Sequence, residues 1–259
     1  MEKNALAVMV RVPVPGAVKT RLTPELSPLE ACLLYEAFLK DLFSRLSALT
    51  LTDIFIFYTG HETVPDGREI VPDGHETAPD GHETAPDNSG TAADKIQQLS
   101  NVVPEFFTLT PQKDGDLGSK MQDVFKELFG RGYTCVALIG SDSPDLPLAY
   151  LRRAFTLLTG PCTAEPRPLV LGPALDGGYY LIAMNDSLAS FSARLFDGIE
   201  WGACSVLQQT LGRAADAGMR VAMLAQWHDI DTCDDLAFIS ASAELPATVR
   251  VLQGLDRRS

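Results

Sequence analysis

No apolar run in this 259-residue chain approaches the roughly 18 to 20 residues that a membrane-spanning helix needs. Cysteine is sparse: Cys32, Cys135, Cys162, Cys204 and Cys233 are an odd number, lie far apart and include no C-x-x-C pair. That pattern argues against a disulfide framework or a zinc site and fits reduced thiols in a reducing compartment. Positive charge is also short, with 21 Lys and Arg against 34 Asp and Glu and a formal net charge of −13. A phosphate backbone needs a basic face, so nonspecific nucleic-acid binding is disfavoured. Residues 61–87 alone hold eight acidic side chains and one arginine, so −7 of the total sits there and the remainder is only mildly acidic. The first apolar stretch, in MEKNALAVMVRV, is short and broken by Arg11. It reads as a first strand and not as a signal peptide. These features together predict a soluble cytoplasmic protein.

What is present is an ordinary globular composition, 46% hydrophobic and 21% charged. Strand-like apolar runs alternate with amphipathic stretches, the pattern of an α/β fold with a mostly parallel sheet. Strands are expected at Leu6–Val12, Ile54–Tyr58, Phe106–Leu109, Thr134–Ile139, Leu169–Leu171, Tyr180–Met184 and Val221–Leu224. The Thr134–Ile139 run is continuously apolar, as suits a central strand covered on both faces. Ser27-Pro28-Leu29-Glu30 is a capping box with proline at the first helical position. Leu34, Phe38, Leu42, Leu46 and Leu49 follow at helical spacing. Further helices are expected at Lys120–Phe129 and around Val206–Ala217, and one starting near Pro147. No linker divides two such patterns, so residues 1–259 read as one domain. Its irregular part is a low-complexity loop at about 61–90, where PDGHETA occurs at 72–78 and again at 79–85. His61, His75 and His82 lie there among carboxylates, but a segment of turn formers too polar to bury anything holds ligands loosely. An expanded surface loop is the simpler reading.

Ligands of parallel α/β sheets bind beyond the carboxyl ends of the strands, so the loops at those ends carry the chemistry. The loop after strand one runs Val12 to Leu22, is stiffened by Pro13, Pro15 and Gly16, and ends with Lys19 and Arg21. A planar guanidinium fork beside a point-charge ammonium suits an anionic group, although two solvated surface cations would look the same. The loop is neither a Walker A nor a G-x-G-x-x-G element. After the central strand comes Gly140-Ser141-Asp142-Ser143-Pro144-Asp145, where a carboxylate at the strand's mouth can hold Mg²⁺ or Mn²⁺. Asp145 better fits a cap for the helix near Pro147. Gly115-Asp116-Leu117-Gly118 and Asp176-Gly177-Gly178-Tyr179-Tyr180 are turn signals. His228-Asp229-Ile230-Asp231-Thr232 puts two carboxylates after another strand, while Thr232 with Asp235 is equally a plain helix cap.

In this order the motifs resemble the bacterial DUF2064 family of GT-A-like transferases: Pro13-x-Pro15-Gly16-x-x-Lys19-Thr20-Arg21-Leu22, Gly115-Asp116-Leu117-Gly118, Gly140-Ser141-Asp142-Ser143-Pro144, Asp176-Gly177-Gly178-Tyr179-Tyr180 and Asp229-x-Asp231-Thr232. The resemblance implies a three-layer α/β/α, Rossmann-like GT-A fold, related to nucleotidylyltransferases of the molybdenum-cofactor guanylylation type. It implies nucleotide contacts from Pro13, Gly16, Lys19, Arg21, Gly118 and Ser141, with Lys19 and Arg21 on the phosphates. Asp142, Asp229 and Asp231 would hold Mg²⁺ or Mn²⁺, and Asp142, Asp176 and Asp231 would serve catalysis. Gly177, Gly178 and Trp201 would line the acceptor side. Family members usually show Trp-Ser-Thr where this chain has Trp201-Gly202-Ala203-Cys204-Ser205.

The function expected from these residues is sugar transfer from a nucleotide-sugar donor to a small-molecule acceptor, with no nucleic acid and no membrane span. Nucleotidyl transfer from a nucleoside triphosphate uses the same kind of pocket, and a nucleotide-binding module without turnover is a third possibility. A proline-rich first loop with a single glycine leans toward the sugar donor.

Overall fold

The computed structural model describes residues 2–59, 92–159, 167–239 and 244–256. The 61–87 repeat and Cys162 therefore lie outside the described residues. Among the described residues seven strands form one sheet: β1 (Asn4–Arg11), β2 (Thr52–Thr59), β3 (Thr108–Pro111), β4 (Cys135–Ile139), β5 (Leu169–Pro173), β6 (Tyr179–Asn185) and β7 (Val221–Met223). Their order is β3-β2-β1-β4-β6-β5-β7. Only β6 runs against its neighbours β4 and β5; the other pairings are parallel. The α/β, mostly parallel expectation holds.

Seven helices accompany the sheet among the described residues: α1 (Pro28–Leu46), α2 (Ala92–Ser100), α3 (Leu117–Gly130), α4 (Leu148–Thr159), α5 (Ser192–Phe196), α6 (Val206–Asp216) and α7 (Pro246–Asp256). Side-chain alternation along the strands splits the core in two. Leu6, Val8 and Val10 of β1 with Cys135, Ala137 and Ile139 of β4 face Leu34, Phe38 and Leu42 of α1 and Leu151 and Phe155 of α4. Ala5, Ala7, Val136 and Leu138 face Met121, Val124 and Phe125 of α3 and Leu195 and Phe196 of α5. Helices thus cover both faces, giving three layers.

The capping box forms as expected: the Ser27 hydroxyl accepts from the Glu30 N–H, and the Glu30 carboxylate accepts from the Ser27 N–H. Most boundaries shift by one to three residues, and two of the shifts are instructive. α1 ends at Leu46, so Leu49 is buried just beyond the helix. The third strand is Thr108–Pro111 and not Phe106–Leu109, because a turn closed by the Phe107 N–H on the Pro104 carbonyl delays its start and leaves Phe106 exposed. Proline is tolerated in β3 because this edge strand pairs only with β2.

The chain steps from β1 outward to β2 and β3, then returns to place β4 on the other side of β1. This reversal opens a crevice between the carboxyl ends of β1 and β4. The 12–27 and 140–147 loops meet there.

Candidate active site at the β1–β4 crevice

Val14-Pro15-Gly16-Ala17 is a tight turn: the Ala17 N–H donates to the Val14 carbonyl at 3.0 Å, and Gly16 takes φ 81°. A positive φ at the third position is what a type II turn requires, and proline is common at its second. Buried Val14, Val18 and Leu22 anchor the loop on the core. Lys19 itself adopts a left-handed backbone, φ 49° and ψ 41°, immediately before a short 3₁₀ turn, Thr20–Leu22. Its side chain, only 4% exposed, runs into the crevice.

There the ammonium reaches Asp142 Oδ1, the Ile230 carbonyl at 2.6 Å and Asp231 Oδ1 at 2.9 Å. Three donors meet three acceptors drawn from two loops. Burial alone would depress the Lys19 pKa, but the Asp142 and Asp231 charges outweigh it and hold the group above its ordinary value. Arg21 is 73% exposed, with its guanidinium 3.9 Å from Asp231 Oδ2. Both cations and the carboxylates of Asp142 and Asp231 therefore converge in the crevice.

The acidic strap 227–232 is fixed from several sides. The Ile230 N–H donates to the Asp142 carbonyl at 2.8 Å, tying the strap to the β4 loop. Ser143 Oγ donates to Asp229 Oδ1 at 2.6 Å. Burial pushes the Asp229 carboxyl up to about 6; Ser143 opposes this, while the charges of Asp142, Asp176 and Asp231 reinforce it. Asp235 Oδ2 accepts from the Asp231 N–H, the Thr232 N–H and the Thr232 hydroxyl. Thr232 and Asp235 thus pair with each other, but the 3₁₀ turn that follows, with Cys233 at its N-cap, has no side-chain cap bond; the Asp235 carboxylate instead holds the Asp231 backbone. Asp145, expected as a helix cap, instead accepts from Trp227 Nε1 at 3.2 Å and pairs with His228 Nε2 at 2.8 Å. The His228 ring is stacked between Trp227, at 4.7 Å, and Phe238, at 4.3 Å.

The other expected site residues have definite places. Ser141 is buried, 2.8 Å from the Tyr35 hydroxyl, and that hydroxyl accepts from the Arg11 N–H. The position suits holding the β1 and β4 loops in register. Pro13 is buried and Gly16 exposed. Asp116 caps α3 by accepting from the Ser119 N–H, and Gly118 lies against Trp201: a Cβ there would stand 2.8 Å from the indole ring. Asp176 accepts from the Gly178 N–H at 2.8 Å, a local turn that leaves its side chain exposed. Gly177 has φ +93°, and a Cβ on it would stand 2.0 Å from the Cys204 carbonyl oxygen. The 174–178 turn is therefore pressed onto the segment that follows Trp201. Sequence reasoning missed Tyr35 and Trp227, quoted Ser143 without a role, and read Asp145 and Asp235 only as helix caps. Tyr35 lies in the apolar stripe of α1, where only its hydroxyl marked it as more than core.

The donor set does not suit a divalent metal as it stands. Among the described residues no three His, Cys, Asp or Glu side chains form a group able to hold a metal ion. Asp142 and Asp231 share the Lys19 ammonium, and Asp229 is engaged by Ser143. No helix among the described residues is long and apolar enough to cross a membrane.

The family model described as an uncharacterized protein conserved in bacteria, DUF2064, matches residues 84–203. Among solved structures, a candidate nucleotide-diphospho-sugar transferase from Desulfovibrio desulfuricans is 27% identical, with a TM-score of 0.75 over 99% of this chain and 96% of that one. A cytidylyltransferase from Leptospira borgpetersenii is 9% identical, with a TM-score of 0.51 over 100% of this chain and 95% of that one. A 4-diphosphocytidyl-2C-methyl-D-erythritol synthase from Anaerococcus prevotii is 11% identical, with a TM-score of 0.50 over 97% and 96%. The last two show likeness of fold alone. No curated protein matches the chain. Residues 84–203 thus match the DUF2064 model, and the whole chain shares its fold with a candidate nucleotide-diphospho-sugar transferase.

Proposed function

We propose that this protein is a nucleotide-utilising transferase, and that its donor is a nucleotide sugar. The observation that carries the reading is the crevice itself: Lys19 joins the β1 loop to Asp142 and Asp231, and exposed Arg21 stands at the rim. The whole-length likeness to a candidate nucleotide-diphospho-sugar transferase at 27% identity supports it. In this reading Arg21 presents its planar fork to the donor's diphosphate, and the buried ammonium of Lys19 lends positive potential behind it. Preorganised positive charge on a departing diphosphate lowers the barrier by several kcal/mol. The Gly177-Gly178 turn and Asp176 line the acceptor side, with Trp201 packed beneath through Gly118.

A thermal-shift series over nucleoside mono-, di- and triphosphates and nucleotide sugars tests the binding, since a ligand of the native state raises the melting temperature. Arg21→Ala should weaken the best nucleotide by about tenfold, the loss expected for one charge-assisted contact. If no nucleotide raises the melting temperature, the reading is wrong. Product analysis then separates the chemistries. Nucleoside diphosphate released from a nucleotide sugar supports sugar transfer, whereas pyrophosphate released from a triphosphate reassigns the protein to nucleotidyl transfer. Nucleotide binding with neither product would mark a binding module.

A further inference from the structure

We infer that the Lys19 ammonium is the resident cation of this site, and that it competes with divalent metal ions for one pair of carboxylates, Asp142 and Asp231. An ammonium has three donors and no acceptor, and here all three are spent on Asp142, Asp231 and the Ile230 carbonyl. The side chain is 4% exposed, while Asp142 and Asp231 are 46% and 40% exposed. The carboxylates thus face solvent, and the cation between them does not. Lys19 is held from behind as well: its left-handed backbone turns the stem inward, and its Nζ lies 5.9 Å from the centre of the Phe38 ring.

Two consequences follow. Lys19 can contact a phosphate only by giving up one of these partners, so direct phosphate contact falls first to Arg21. A divalent ion on the same two oxygens would place a second cation against a buried ammonium, an arrangement that like-charge repulsion disfavours. With Lys19 removed, the two carboxylates together match a divalent ion in charge.

Manganese titration without nucleotide, followed by the electron paramagnetic resonance of free Mn²⁺, tests this on the full chain, Lys19→Met and Lys19→Met/Asp142→Asn. Lys19→Met should bind Mn²⁺ at least about tenfold more tightly than the unaltered protein, because carboxylates left without their cation carry an uncompensated penalty. The double variant should lose that gain. A folded Lys19→Met that binds Mn²⁺ no more tightly overturns the inference. Should that variant fail to fold, the unaltered protein decides by Mg²⁺ titration, watching the lysine ammonium and aspartate carboxyl resonances by NMR. Asp142 and Asp231 shifting while the Lys19 signal persists would overturn the inference; both signals changing, or neither, supports it. The inference rests on the proposed site but not on its substrate, so nucleotide binding can fail in the thermal-shift series while this result stands.

Discussion

Two side chains show how single groups set the site's properties. Tyr35 is fully buried, and its hydroxyl joins the Arg11 N–H to Ser141 across the base of the crevice. Burial, reinforced by the Asp142 charge, pushes its phenol up to about 12, so it stays protonated through any working pH. Tyr35→Phe keeps the ring but strands a backbone donor and a buried serine hydroxyl. The expected loss is about 1–3 kcal/mol in urea unfolding; an unchanged midpoint would show that the bridge carries no weight. Asp229 behaves oppositely to a salt-bridged carboxylate. Its folded value of about 6 lies above the unfolded value near 3.9, so the folded protein binds that proton more strongly. Its contribution to stability is full below about pH 4 and is lost as pH rises through 6. Asp229→Asn, which can still accept from Ser143, should remove this dependence. The variant should gain on the order of 1–3 kcal/mol relative to the parent between pH 4 and pH 7. Parallel stability–pH curves for the two proteins would refute the assignment.

At the scale of elements, α7 depends on a carboxylate in another helix. Asp41, on the buried face of α1, accepts from the Ala247 N–H at 3.0 Å and the Thr248 N–H at 2.8 Å. Those are two of the orphan donors in α7's first turn. Asp41→Ala should cost about 1–2 kcal/mol and should accelerate hydrogen exchange at Ala247 and Thr248 ahead of the sheet. Uniform acceleration along the chain would instead mean a global effect. The sequence could not disclose this cap, because a lone aspartate within an apolar helix gives no hint of its partners some two hundred residues away. Local devices are different. The Ser27 capping box and the Val14–Ala17 turn are written in consecutive residues: the box forms as read, and the turn follows locally from Pro15 and Gly16. In α4 the sequence reading marks only the start near Pro147, although Leu151, Ala154, Phe155 and Leu158 carry the helical spacing and are all buried. At five residues α5 is too short to stand out, whereas α2 and α7 carry an amphipathic pattern that the sequence reading does not pick up.

Across the whole molecule, burial is deepest where helices cover both faces of the sheet. Every residue of β4 is buried, whereas β3 and β7 at the two edges are partly exposed. Hydrogen exchange should therefore be slowest in β1, β4 and β6 and fastest in β3 and β7, since opening free energies follow buried contacts. Equal protection in β4 and β7 would contradict this layering.

The α/β class and most strand positions follow from periodicity, because period-2 burial and continuous apolar runs are local consequences of covering a sheet. The motif residues Lys19, Asp142 and Asp231 are likewise visible in the chain. Only the tertiary structure decides what they do to one another. The reversal of strand order at β1 and β4 brings their loops together and seats the Lys19 ammonium between Asp142 and Asp231. It also gives Asp145 to Trp227 and His228, and not to a helix end. Spacing along a chain can nominate charged groups. Which charge neutralises which depends on distances and burial set by long-range packing, and no stretch of consecutive residues encodes those.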